Sequence, residues 1–239
     1  MIKHPILLSV GLAFLAFSSV ATSSPASKEY VDKLVSDLNQ NFQLKINAVT
    51  YTGGEGIALT NGQIKSTSLH HIGELYQGGI VFFVDDSGLH GLVSAKEDIS
   101  LNLMWQNGEG GEQIVNAGGD GIFAGDSNTR LIIAQQTIDD QQGDFAALQA
   151  ANFKVNQLGN ACTPEAQICY GGWSLPSLHE LTLIYLNLNQ QGLAGLNPAT
   201  YWSSTEASVN EAWSLDASSG EKIRSNKINP LRVRPIRAF

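Results

Sequence analysis

Gly171-Gly172-Trp173-Ser174-Leu175-Pro176-Ser177-Leu178-His179-Glu180-Leu181 is the stretch that decides how the chain folds. Ser177 and Glu180 stand at the S-x-x-E spacing of a capping box, where each side chain satisfies a backbone N–H left open at a helix start. The spacing predicts a helix that begins here and runs through Leu183, Ile184 and Leu186. Pro176 fixes its own φ near the helical value and pushes Leu175 toward extended backbone, so the junction is sharp.

Downstream, Tyr201-Trp202-Ser203-Ser204-Thr205-Glu206 echoes this stretch, and residues 201–204, 212–217, 221–225 and 231–236 read as strands. Trp213, Leu215 and Ala217 alternate with Ser214, Asp216 and Ser218, which suits a half-buried strand and puts Trp173, Trp202 and Trp213 in the core. Upstream, the apolar run 78–84 ends at Asp85-Asp86-Ser87-Gly88 and returns through 89–94 as a hairpin. Residues 105–125, rich in Gly, Asn and Asp with little periodicity, are expected to form a long surface loop. Two helices are expected at about 129–139 and 144–158, the second with Phe145, Leu148, Val155 and Leu158 on one stripe.

The N-terminal quarter is of another kind. Met1-Ile2-Lys3-His4, an apolar run over 6–17 and a small, polar stretch over 18–24 have the pattern of a secretory signal (1–23), too short in its apolar part to span a bilayer. A buried N-terminal helix is the competing reading. Export would put Cys162 and Cys169 in an oxidising compartment and favour a disulfide, contributing about 2–3 kcal/mol by loop closure; a reactive thiol pair or metal site is the alternative. Over 27–49, Val31, Val35, Leu38, Phe42 and Val49 recur at spacings of four and three, with Lys45 in the remaining seam position. That periodicity predicts a short coiled-coil stalk, or else one amphipathic helix folded on its own domain. A Gly-rich neck follows (50–71), where Tyr51-Thr52-Gly53-Gly54-Glu55-Gly56-Ile57 looks like the Y-x-G-x-G-I connector of trimeric phage and bacterial fibres.

Taken together, GGWSLPSLHEL, YWSSTE and the C-terminal Val233-Arg234-Pro235-Ile236-Arg237 resemble the C-terminal domain of the Legionella collagen-like adhesin, a domain family of bacterial surface proteins. The resemblance covers 72–239, including Gly78-Gly79-Ile80-Val81-Phe82-Phe83-Val84-Asp85 and Asn128-Thr129. It implies an α+β, C-type-lectin-like head with an antiparallel sheet and two or three helices. It also implies a homotrimer binding sulfated glycans such as heparin-like glycosaminoglycan, in a secreted or surface-exposed protein of cell adhesion and biofilms. One departure is plain: this chain carries no collagen-like Gly-x-y array.

The net charge of −8 argues against a general nucleic-acid binder. Even so, six of the fourteen Lys and Arg residues, Lys222, Arg224, Lys227, Arg232, Arg234 and Arg237, fall at the C-terminal end. Fixed guanidinium and ammonium groups pair with sulfate and carboxylate, so these six are the candidate glycan-binding residues. Lys222, Arg224 and Lys227 are expected in solvent, while Arg234 is either a ligand contact or a structural cation paired with Glu180 or Glu206. Asp120, Asp126 and Asn128 could be read as calcium ligands, but their spacing is not that of an EF-hand, and turn chemistry is the expectation. No catalytic residue, metal site or cofactor is expected: Ser177, His90 and His179 form no nucleophile elbow or H-E-x-x-H pattern. The faint similarity of GGWSLPSLHEL to the W-R-L-P-T-E-x-E-W stretch of formylglycine-generating enzymes lacks their cysteine chemistry. A structural fibre cap or protein-binding head is the alternative function.

Overall fold

The computed structural model describes residues 28–48, 57–60, 63–66, 69–108, 111–138, 140–141, 143–163, 168–193 and 195–239. The expected signal, Gly53, Gly54 and Gly56 of the neck, and Val49 lie outside the described residues. The chain divides into two compact units, 1–52 and 53–239. In the first, α1 (Lys28–Ala48) is one continuous helix, as its many helix formers and lack of Gly and Pro dictate. Tyr30, Val31, Leu34, Val35 and Leu38 are exposed along it.

The second unit is α+β. It opens with β1 (Ile57–Thr60) and β2 (Gln63–Ser66), an antiparallel pair with Thr60 opposite Gln63. Next come β3 (Leu75–Tyr76), β4 (Gly79–Val84), β5 (Gly91–Ala95) and β6 (Ser100–Leu103). Helices α2 (Ala124–Gln136), α3 (Ala146–Asn152) and α4 (Leu178–Ile184) follow, α4 running on into a π-turn over Tyr185–Asn189. The chain closes with β7 (Thr200–Glu206), β8 (Glu211–Asp216), β9 (Glu221–Asn226), β10 (Leu231–Val233) and β11 (Ile236–Ala238). Besides the β1-β2 pair, the described residues form two larger sheets, in the orders β11-β5-β4-β3 and β6-β10-β7-β8-β9, the second antiparallel except where β10 runs parallel to β7.

β4 has no polar alternation because both of its faces are covered. Val81 packs with Val93, Val155 and Trp173, whereas Phe82 packs with Leu92, Leu181, Ile184 and Tyr201. Burying one such side chain stabilises the fold by about 1.5–3 kcal/mol. A third cluster joins Trp105, Ile132, Phe145 and Trp202.

Four expectations are corrected here. The expected strand 231–236 is two strands in different sheets, broken at Arg234-Pro235, because proline offers no N–H to a ladder and restricts the residue before it. The described part of 105–125 is irregular up to Phe123, as expected, but does not lie wholly at the surface: Trp105, Val115 and Ala117 are buried, and Trp105 Nε1–H donates to the Ser203 carbonyl at 2.9 Å. The helix expected at 129–139 begins at Ala124. The one expected over 144–158 ends at Asn152, since Val155 leaves to bridge Ala161 and Tyr170, and Leu158 is exposed.

Candidate functional site

The capping box forms as the sequence predicts. Ser177 Oγ accepts the Glu180 N–H at 3.2 Å and Glu180 Oε2 accepts the Ser177 N–H at 2.7 Å. The same Oε2 also accepts the Gly125 N–H at 3.1 Å, so one buried carboxylate ties together the first turns of α2 and α4. Gly125 is required there: a Cβ would stand 2.5 Å from Glu180 Oε2 and 2.7 Å from the Leu175 carbonyl. Burial pushes the Glu180 carboxyl above its ordinary range, against the pull of N–H groups from Ser177, Phe123 and Gly125. Ahead of the box, Ser174 pairs with Ile236 through both backbone groups, at 2.8 and 2.9 Å, which ties GGWSLP to VRPIR.

Arg234 sits where the chain crosses between the sheets. It is fully buried, and its partner is Asp98, neither Glu180 nor Glu206: Nε and Nη2 reach Asp98 Oδ1 at 2.9 and 2.7 Å. Nη1 donates to the carbonyls of Ala95 and Gly195. Asp98 Oδ2 accepts from Arg232 Nη1 at 2.8 Å and from the Tyr201 hydroxyl at 2.9 Å. Burial tends to raise the Asp98 carboxyl, but the charge of Arg234 and the hydrogen bonds from both arginines and Tyr201 outweigh it and hold it below the usual range.

Lys227, expected in solvent, is completely buried. Its Nζ donates to Glu206 Oε1 at 2.6 Å and to the carbonyls of Gln113 and Val209 at 3.0 Å, and lies 4.5 Å from the centre of the Trp105 ring. Desolvation lowers its pKa, with Glu206 opposing. The reason is fold closure: Glu206 also accepts the N–H groups of Val115 and Asn116, so the pair ties the residues after Trp105 to the end of β7. Arg237 also faces inward, donating to the Gly171 carbonyl at 2.8 Å and to Gln77, over the ring of Tyr170.

Two of the six cations remain at the open surface, both on β9, the edge strand of its sheet. Lys222 makes no ion pair among the described residues, and Arg224 pairs with Glu211 at 3.0 Å, both ends exposed. Arg224 stands opposite Trp213 of β8 with its guanidinium 6.0 Å from the ring centre, and Trp213 is only partly buried where the core was expected. The alternation of Lys222 with Ile223 holds, but the cations form no continuous strip. Strand register puts Arg232, Tyr201, Leu215 and Lys222 in one row, and the middle two are buried.

Asp120, Asp126 and Asn128 each have a structural use. Asp120 accepts the His179 N–H in the first turn of α4, Asp126 pairs with Arg130, and Asn128 clasps both backbone groups of Gly119. Among the described residues no three His, Cys, Asp or Glu side chains stand close enough to hold a metal ion. Cys162 and Cys169 form a disulfide. No described helix is long and apolar enough to cross a membrane.

No protein-family profile matches this chain, and no curated protein matches it either. Among solved structures it is similar to a fimbrial protein from Bacteroides ovatus, at 17% identity and a TM-score of 0.42. The match covers 77% of this chain and 48% of the other, so the chain spans about half that neighbour's length. A likeness that slight carries no argument about function.

Proposed function

We propose that the chain is an exported, non-catalytic adhesin whose second unit is a C-type-lectin-like head, and that this head binds sulfated or otherwise anionic glycans. The observation that carries the reading is the exposed pair of cations on β9: Lys222, and Arg224 against the partly exposed Trp213. An aromatic face accepts the apolar side of a sugar ring, and the adjacent cations accept its acidic substituents. The Arg224–Glu211 pair is solvent-exposed and worth less than about 1 kcal/mol, so a sulfate can replace the carboxylate at little cost. The resemblance of GGWSLPSLHEL, YWSSTE and VRPIR to the collagen-like adhesin domain supports the same reading.

In this proposal α1 is one strand of a coiled-coil stalk in a homotrimer. Its 21 residues leave Val31, Val35 and Leu38 exposed, and most helical stability in proteins comes from packing an apolar face rather than from propensity. Three copies would present the β9 site three times, which turns weak contacts into avidity.

Retention on immobilised heparin across a salt series tests the glycan reading. The wild type is expected to bind at low salt and elute as salt rises, the double variant Lys222→Ala/Arg224→Ala to elute earlier, and chelator to change nothing. Failure of the wild type to bind at low salt would remove the glycan reading and favour a fibre cap or protein-binding head.

A further inference from the structure

We propose that Arg232 anchors a second, separate pocket that takes a single oxyanion group, carboxylate or sulfate, on a small polar ligand. The pocket is a cavity of about 430 Å³ walled by Lys96, Glu97, Asp98, Asn197, Arg232 and Arg234 among others. Its charge does not balance. Arg232 and Arg234 converge on one carboxylate, that of Asp98, which is 4% exposed. Arg234 answers the whole of that charge from its buried position, using Nε, Nη1 and Nη2 on protein acceptors.

Arg232 is held differently. Its side chain is 28% exposed, and one arm of its fork meets Asp98 Oδ2 beside the Tyr201 hydroxyl. Apart from Asp98 and the neighbouring Tyr201 hydroxyl, no side chain or carbonyl among the described residues accepts from its remaining donors. Lys96 stands on the same wall with its Nζ on the Leu158 carbonyl, a neutral partner that leaves its charge uncompensated. Glu97, the other carboxylate of the wall, is exposed and forms no ion pair among the described residues. The three cations and two carboxylates of the wall leave one positive charge over, and a half-buried guanidinium with open donors is matched by an oxyanion, which accepts two parallel N–H bonds from the fork. A cation would meet the same surplus as repulsion.

This pocket does not rest on the glycan reading. β10 and β9 are separated by β7 and β8, three strand spacings or about 14 Å, with Tyr201 and Leu215 buried between them.

The full chain would be titrated with sodium sulfate and, separately, with sodium acetate, sodium chloride holding ionic strength constant. The signals to follow are the arginine Nε–H resonances by ¹⁵N NMR and the thermal midpoint. The resonance of Arg232 should shift saturably with at least one of the two anions, and the arm that saturates at lower concentration identifies the group. Arg232→Lys keeps a charge opposite Asp98 but loses the fork, and its Kd should rise roughly tenfold, the value of one charge-assisted hydrogen bond. Lys222→Ala/Arg224→Ala should leave this titration unchanged whatever it does to heparin retention. A shift that chloride reproduces, an Arg232 resonance that does not respond, or a folded Arg232→Lys protein that binds like the wild type would each overturn the proposal.

Discussion

Asp98 and Glu180 are both buried carboxylates of the second unit, and the protein holds them in opposite ways. Around Asp98 the partners are two arginines, a tyrosine and an asparagine, contributed by β10, the residue after it, β7 and the segment before β7. Around Glu180 the donors on Oε2 are backbone N–H groups of Ser177 and Gly125, while Oε1 has no partner among the described residues. Opposite charge near Asp98 drives its pKa down; desolvation near Glu180 drives its pKa up. One carboxylate therefore serves as a counter-ion that locks two sheets together, the other as a cap that locks two helix starts. The energetic consequence is that removing Asp98 leaves buried charge behind, whereas removing the charge of Glu180 does not.

The largest expected effect follows from that. Asp98→Ala strips the counter-ion from Arg234 and should lower stability by about 3–5 kcal/mol, the range for one partner lost from a buried pair, measured by urea unfolding. A loss below about 1 kcal/mol would mean that water reaches Arg234 and that the locked seam between the sheets is not there. Ser177→Ala should cost less, about 1–2 kcal/mol, because it removes a cap acceptor and the hydroxyl's bond to the Gly121 carbonyl but uncovers no charge. If the two variants lost equal stability, the contrast between counter-ion and cap would collapse.

The same contrast explains what could be read from the sequence. Ser177 and Glu180 interact over three positions, so spacing alone revealed the box and the start of α4, though not its end at Ile184, where a π-turn takes over. The partners of Asp98 lie about a hundred positions away or more, at Asn197, Tyr201, Arg232 and Arg234, and nothing in Lys96-Glu97-Asp98 marks the last residue as the one that folds inward. Lys227 misled for a related reason. Its neighbours are Ser, Asn and Ile, but its charge is answered by Glu206 and carbonyls of Gln113 and Val209, brought in by residues whose Gly and Asn content reads as loop. Alternation did sort Lys222 and Arg224 onto one face, and that part of the candidate surface was legible. What local pattern cannot supply is which cations find an internal carboxylate, since that depends on which strands become neighbours.

Glu180→Gln is the variant with the smallest expected effect at neutral pH and the sharpest reading across pH. Glutamine keeps one carbonyl oxygen for the N–H groups of Ser177 and Gly125 and carries no charge to desolvate, so stability at neutral pH should change by less than about 1 kcal/mol. The sign of the pH effect follows from the direction of the shift. A carboxyl whose folded-state pKa is raised contributes stability that is fully present below its unfolded pKa and is lost as pH rises through the folded value. Wild type should therefore gain on Glu180→Gln as pH falls toward the unfolded pKa of glutamate. Asp98 predicts the reverse: its folded pKa is lowered, so its contribution is present above the unfolded pKa and disappears as pH falls through the folded one. Wild type should accordingly lose its advantage over Asp98→Asn in acid. Unfolding free energies of the three proteins over an acid-to-neutral series measure both slopes. Two slopes of the same sign would show that the carboxylates do not differ as their partners dictate.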